Sequence, residues 1–298
     1  MSNIKTSLML LFISAMLAVS CGEKREVSLY VSFFKGDVKV KRSGGEEAAV
    51  SFKAKVKDGD IYRVGKKSLL VLTATDGLTV RVEPETEAVI KSVQDIEKRE
   101  IFLNNGRILS SVNKLTKGGQ YRIRTKTAVA SVRGTQFITK YEEGRTSVAV
   151  ARGLVSVKGQ NGKSGEEMVA AGKTGLVEDT SDKVVIREHN RAEKLEVSKF
   201  DITPSVEKIE NKKPEQLKEI FKDTFEKSGK IEKRLQSNKG LSFSEMKKRY
   251  GRVDIVTLYN GRVIRGVITS RGSVYRIVTT GGVVTVNSNE VRNTRAQR

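Results

Sequence analysis

The sequence predicts a mainly β protein: a β domain built as a short β-solenoid or a sandwich, then a helical linker, then a small barrel-like β module at the end of the chain. Three observations carry this. Apolar and polar residues alternate with a period of two, as in Leu78-Thr79-Val80-Arg81-Val82 and Val38-Lys39-Val40, which is the repeat of a strand with one buried face. Turn residues punctuate the chain at Lys35-Gly36-Asp37, Asp58-Gly59-Asp60, Asp76-Gly77, Asn105-Gly106, Gly118-Gly119, Arg152-Gly153 and Asn161-Gly162, spacings suited to short, tightly joined strands. The final stretch runs VDIVTLY, Asn260-Gly261, RVIRGVITS, Arg271-Gly272-Ser273, VYRIVTT, Gly281-Gly282 and VVTVNS, a meander whose Asn-Gly turn pins strand register.

Residues 1–20 have the anatomy of an export signal, with Lys5 ahead of an apolar run from Ser7 to Ser20 and small residues leading into Cys21. About 14 residues at ~1.5 Å each fall well short of a ~30 Å hydrocarbon core, so the run makes a poor membrane span. Cys21 has two readings, a free or buried thiol and the acylated first residue of a mature lipoprotein. The second is favoured, because Leu17-Ala18-Val19-Ser20-Cys21-Gly22 resembles a bacterial lipobox, with Leu17 standing one place earlier than is usual. Residues 21–29 are then a lipidated tether. Cys21 is the single cysteine, so no disulfide framework forms within the chain, and stability has to come from packed cores.

The net charge of +21 favours negatively charged partners. Expected partners are the membrane through the lipid anchor, together with anionic lipid, an acidic cell-wall polymer or another envelope protein; nucleic acid ranks last for an exported chain. Acids and bases are interspersed along most of the sequence, which is also how a plain solvated surface reads.

Residues 30–190 are the expected β domain. Pro204 and Pro214 bracket a Lys/Glu-rich stretch that opens the linker assigned to residues 191–250. Within it Leu217, Ile220, Phe221, Thr224 and Phe225 share one helical face, Gly229 is expected to break or bend the helix, and Ser242-Phe243-Ser244-Glu245 has capping-box spacing ahead of a second short helix ending at Gly251. This pair reads either as marginal and solvated or as docked on a partner, and the Lys-rich backbone between Val197 and Arg252 is expected to be open to proteases. Residues 251–298 form the small β module, of SH3-like or Sm-like size. Leu103-Asn104-Asn105-Gly106-Arg107-Ile108 and Leu258-Tyr259-Asn260-Gly261-Arg262-Val263 look like two solutions to one hairpin problem.

The stretch Thr125-Lys126-Thr127-Ala128-Val129-Ala130-Ser131-Val132-Arg133-Gly134-Thr135-Gln136-Phe137 closely resembles the signature of the FecR domain, T-P-x-A-V-A-x-V-R-G-T-x-F, with Lys126 in place of the usual proline. Supporting pieces follow the family's order: Gly36-Asp37-Val38, Asp58-Gly59-Asp60, Asp76-Gly77-Leu78-Thr79-Val80 with Glu83-Pro84, and Ala151-Arg152-Gly153-Leu154-Val155-Ser156-Val157. The resemblance covers about residues 30–180 and implies an extracytoplasmic β module, which the lipobox-like segment at Cys21 places in a lipoprotein of the cell envelope. The family's regulator also carries a cytoplasmic anti-sigma segment, and the handful of residues ahead of the apolar run is too short for one, so that activity is not carried over. Motif residues Ala128, Val129, Ala130, Val132, Arg133, Gly134, Thr135 and Phe137 are expected to be structural. Val129 and Val132 supply bulk, Ala128 and Ala130 allow close approach, and Gly134 permits the turn. Arg133 is expected to sit in a partly buried strand end, where its fork bridges carbonyls and a carboxylate; ligand binding is its minority reading.

No catalytic constellation, cofactor site or metal site is expected. His189 is the lone histidine and reads as an exposed loop residue, and Gly172-Lys173-Thr174 is a turn, because a P-loop would need glycine where Glu167 stands. The function expected is therefore non-catalytic binding or scaffolding in the envelope; the alternative is a sensor or relay subunit acting through the helices after residue 215. Mass spectrometry of the envelope fraction should show a diacylated or triacylated amino terminus at Cys21, and Cys21→Ala should release the protein or leave it unprocessed. An unmodified peptide spanning Ser20 to Gly22 in that fraction would sink this assignment.

Overall fold

The structure, a computed structural model, describes residues 28–297 apart from 94, 96–97, 114–118, 162–164, 205, 210–211 and 238–240. Cys21 and the export segment lie outside the described residues.

Sixteen strands form one continuous hydrogen-bonded sheet that folds on itself into two layers. They are β1 (Leu29–Lys35), β2 (Val38–Lys41), β3 (Glu47–Ala49), β4 (Ile61–Val64), β5 (Leu69–Ala74), β6 (Leu78–Val82), β7 (Thr86–Ser92) and β8 (Arg99–Val112). After these come β9 (Tyr121–Arg124), β10 (Ala128–Val132), β11 (Gln136–Glu142), β12 (Arg145–Arg152), β13 (Leu154–Gly159), β14 (Glu167–Ala170), β15 (Lys173–Glu178) and β16 (Ser181–Glu188).

Layer I pairs β1, β5, β6, the second half of β8, β11, β12, β15 and β16. Layer II pairs β3, β2, β4, β7, the first half of β8, β9, β10, β13 and β14. Apart from the outlying β3, the strands of each layer lie strictly in chain order. Of the two expected forms the domain takes the sandwich, with both layers filled in chain order. Alternation produces the core directly. Leu70, Leu72, Val80, Phe137, Val148 and Val150 of layer I face Tyr62, Ile90, Leu103, Ile123, Ala130 and Val157 of layer II in a single buried cluster.

Asn105-Gly106 is not a hairpin turn. The fourteen residues of β8 run through it without a break, and the strand passes from layer II to layer I there. Gly106 has φ +96°, and a Cβ on it would stand 2.3 Å from Thr86 Oγ1. The Asn-Gly pair therefore bends one strand instead of joining two.

The stretch assigned to the linker carries helices that pack on the sandwich itself, which is neither the solvated pair nor the pair docked on a separate partner. Helix α1 (Arg191–Val197) starts on a capping box between Asn190 and Glu193, and α2 (Pro214–Ser237) continues through Gly229 without interruption. One face of α2 buries Leu217 and Phe221 against Phe33, Leu69 and Val71 on the outside of layer I; the rings of Phe33 and Phe221 stack 4.3 Å apart at 15°. Val197 and Phe200 cover Leu109, Ile138 and Ala149 further along the same face. Most of the stability of a helix in a folded chain comes from packing of its amphipathic face, and here burial of the Leu217 and Phe221 stripe holds it in place.

Helix α3 (Phe243–Tyr250) has the capping box that its sequence spacing predicts, from Ser242 and Glu245, and ends at Gly251 with φ +72°. It packs Met246 on Val253 and Val267 of a five-stranded sheet made by β17 (Val253–Leu258), β18 (Val263–Ser270), β19 (Val274–Thr279), β20 (Gly282–Asn287) and β21 (Val291–Gln297). The strand order is β20-β19-β18-β17-β21, so the last strand returns to pair with the first. Among the described residues β20 and β21 do not pair, which leaves the expected barrel-like module as an open, bent sheet. Arg265 fastens this sheet to the sandwich through Asp179, Glu178 and the Glu143 carbonyl. No described helix is long and apolar enough to cross a membrane.

Phe221→Ala should remove the stacked ring and leave a cavity over Phe33, costing about 3–5 kcal/mol. A thermal melt together with protease cleavage newly appearing between residues 214 and 237 checks this; an unchanged melt would contradict the docked helix.

Candidate functional site

The signature segment lies at the middle of layer II. Its entry is a knot of buried hydroxyls. Thr125 Oγ1 accepts from the Ala128 N–H at 3.0 Å and meets Thr146 Oγ1 at 2.6 Å, and Thr127 Oγ1 also meets Thr146 Oγ1, at 2.5 Å. Lys126, in the family's proline position, points to solvent at the tip. Along β10, Ala128, Ala130 and Val132 face the core, whereas Val129 and Ser131 lie half-buried on the outer face of layer II. Thr135 is buried and its carbonyl accepts from the Val112 N–H at 2.9 Å; Phe137 is buried edge-on to Tyr121, with centroids 6.2 Å apart.

Arg133 departs from expectation. It and Gly134 are exposed where the chain crosses from layer II to layer I, and Arg133 has no hydrogen bond or ion pair among the described residues. Parity explains this. Val132 takes the inward position, and the crossover that follows lies on the rim of the sandwich, where a side chain cannot reach between the layers. Gly134 does not have a positive φ either; that conformation belongs to Gly153, at +88°, whose Cβ position lies 3.0 Å from the Gly134 carbonyl oxygen. His189 is also corrected. It is buried, and its Nε2–H donates to the Lys173 carbonyl at 2.8 Å.

The buried arginines are instead Arg81 and Arg99, with Arg107 largely buried. Arg81 and Arg107 build an ion cluster between the outer face of layer I and the helices. Arg81 Nε lies 2.7 Å from Glu83 and its amino groups donate to Ser228 of α2 at 2.6 Å and to Thr203 at 3.1 Å. Lys199 contacts Glu83 and Glu232; Arg107 contacts Glu83, Glu196 and Glu232. Three cations thus meet three carboxylates. Burial would raise the Glu83 carboxyl, but Arg81, Lys199 and Arg107 outweigh it and hold the group well below the usual carboxylate range. Sequence reading missed these residues because Arg81 occupies an outward position in an alternating strand, and only the docking of α2 makes that side a buried one.

The outer face of layer II is open. Ile61, Val89 and Phe102 form a half-buried apolar row across β4, β7 and β8; Arg124 of β9 follows in register and separates it from Val129 of β10, Lys41 and Lys158 flank the two ends, and Arg63, Lys91 and Arg122 stand on neighbouring positions of the same layer. Arg63 is held by Glu47 and Glu87, and Arg124 by both oxygens of Glu100. Among the described residues no group of three or more His, Cys, Asp or Glu side chains is placed to hold a metal ion.

Residues 60–156 match the FecR protein family. The match covers β4 to β12 and the first residues of β13, and so takes in the middle of the open layer, the ion-cluster residues Arg81, Glu83 and Arg107, and the signature itself. No curated protein matches the chain. Two crystal structures of an anti-sigma factor candidate from Parabacteroides distasonis share 18% identity with it at a TM-score of 0.39, over 48% of this chain and 63% and 62% of theirs. The chain therefore spans less than two thirds of those proteins.

A pH consequence follows from Glu83. A carboxyl depressed on folding contributes stability that is complete above its unfolded pKa of ~4.3 and is lost as pH falls further toward the folded value. Far-ultraviolet circular dichroism and proteolysis should show loosening of α2 below about pH 4. Glu83→Gln should produce the same loosening at neutral pH; a helix equally protected in both would rule out the cluster as its fastening.

Proposed function

We propose that the chain is an envelope lipoprotein, tethered at Cys21, whose FecR-like sandwich binds another envelope component without catalysing a reaction. One observation carries this reading. The two outer faces of the sandwich are treated oppositely: layer I is closed by the chain's own helices, while layer II, which bears the signature, presents to solvent a row that half-buried apolar side chains share with Lys41, Arg124 and Lys158. Sheet faces with this composition suit protein partners and negatively charged surfaces. The FecR match and the export-signal pattern support placement in the envelope.

A second reading, signal relay, is favoured by the FecR match, since that family is regulatory. In it the layer II face receives the signal. Helix α2 is an unsuitable free effector arm, because its apolar stripe is already spent on Phe33, Leu69 and Val71. Deleting the gene and profiling transcripts separates the two: altered transcription restored by the full chain, but not by Cys21→Ala, supports relay, and unaltered transcription supports scaffolding. Recovery of the native protein in the soluble cytosolic fraction would overturn both.

A further inference from the structure

The rim beside the signature holds side chains that the fold does not use. Three successive crossovers between the layers lie against one another there: residues 133–135, Gly153, and Ala171-Gly172. The Gly153 carbonyl accepts from the Ala171 N–H at 3.1 Å, and the Val150 carbonyl accepts from the Gly172 N–H at 2.9 Å. Backbone packed on backbone makes a firm platform. Gly153 allows no side chain, with Thr135 Cγ2 at 2.8 Å from its Cβ position.

Four exposed side chains stand on this platform. Leu154 and Met168 are 47% and 50% exposed, and they are the most exposed large apolar residues of the described sandwich. Ser156 pairs with Met168 and Leu154 with Ala170, so the two apolar side chains share the outer face of layer II as diagonal neighbours. Arg133 follows the end of β10 directly, and the crossover that it opens lies against Gly153, the residue before Leu154: the Cβ position of Gly153 is 3.0 Å from the Gly134 carbonyl oxygen. Arg152 precedes Gly153 and pairs with Gln136. Like Arg133, it is exposed without an ion pair or hydrogen bond among the described residues. Beside them β14 ends the strand order of layer II, and its far edge pairs with no strand among the described residues.

We infer that this rim, Arg133, Arg152, Leu154 and Met168 along the edge of β14, takes up an extended protein segment that presents a carboxylate next to a branched aliphatic side chain. The inference rests on the proposed binding role and names the partner's chemistry. Each element has a complement. A guanidinium fork pairs with a carboxylate through two parallel hydrogen bonds. An open strand edge offers main-chain donors and acceptors to an extended backbone, and alternate side chains of such a segment fall on one face, where Leu154 and Met168 receive the aliphatic group. The excess of positive charge on the chain favours an acidic segment over a basic one.

The test is selection of short displayed peptides on the full-length chain in detergent, followed by affinity measurement on synthetic copies of the enriched sequences. Enriched peptides should place Asp or Glu beside Val, Ile or Leu. Binding should weaken by about tenfold or more in each of Arg133→Ala, Arg152→Ala, Leu154→Ser and Met168→Ser, with thermal melts unchanged, and should persist in Lys158→Ala on the open face. Enrichment without acidic residues would overturn the inference, as would indifference of the enriched peptides to both arginines. Arginine-dependent binding to phosphatidylglycerol vesicles with no peptide selected would overturn it in favour of a lipid ligand. Peptides lost on substitution at Lys158 or Val129 but not at the rim would overturn the rim assignment while leaving the binding role itself intact.

Discussion

A single bent strand holds the sandwich together. β8 is the strand shared by both layers, and Gly106 is what allows it, because no side chain fits against Thr86 and a positive φ is needed to turn the strand without ending it. Its first half pairs with β7 and β9, its second with β6 and β11. Every other strand of each layer is reached by counting outward from it. The pairing of β8 with β9 is also the one parallel ladder of the sandwich as described, so the middle of the domain is where its hydrogen-bond pattern departs from antiparallel.

The outer surfaces of the two layers then follow different physics. On layer I, aromatic stacking at one end of α2 and an ion cluster toward the other fix both where the helix lies and how it is rotated. Burying charges in this way is expensive, and three cations matched to three carboxylates, with hydroxyl oxygens accepting the remaining guanidinium N–H groups, are what make it tolerable. An all-apolar contact would hold as well but would permit the helix to slide; directional bonds from Arg81 and Arg107 define one placement. On layer II the charges remain in water, where Arg63 and Arg124 pair across strands for little energy. The same residue type thus organises one face and merely decorates the other.

Most of the β architecture was legible in the sequence, and the exceptions share a cause. Alternation located strands and inward residues such as Val38, Val40, Leu78, Val80 and Val82, because period two is a local property, but in the signature Val129 was expected to add bulk beside Val132 and instead faces outward between Ala128 and Ala130. Capping at Ser242 was equally local. What stayed hidden depends on distant chain. Asn105-Gly106 has the composition of a hairpin, and only the two layers it joins show it to be a bend. Arg81 reads as a solvent-facing residue until Ser228, well over a hundred residues later, arrives to cover it. Arg133 was misjudged for the opposite reason: its neighbours suggested burial, while the crossover geometry put it on the rim. The candidate site was therefore found by motif, but which of its residues point outward was not.

The strict chain order within each layer has a consequence for assembly. No ladder of the sandwich reaches further along the chain than Leu29 opposite Ala74, and most join segments much closer together. Loop closure therefore stays inexpensive at every step, and each added pair of strands finds its template already formed. Such a domain can be completed from its amino-terminal end while later residues are still emerging, with the unfinished edge moving steadily from β1 toward β16. The helices come last and seal only the side that is already complete, which makes them a closing step rather than a nucleus.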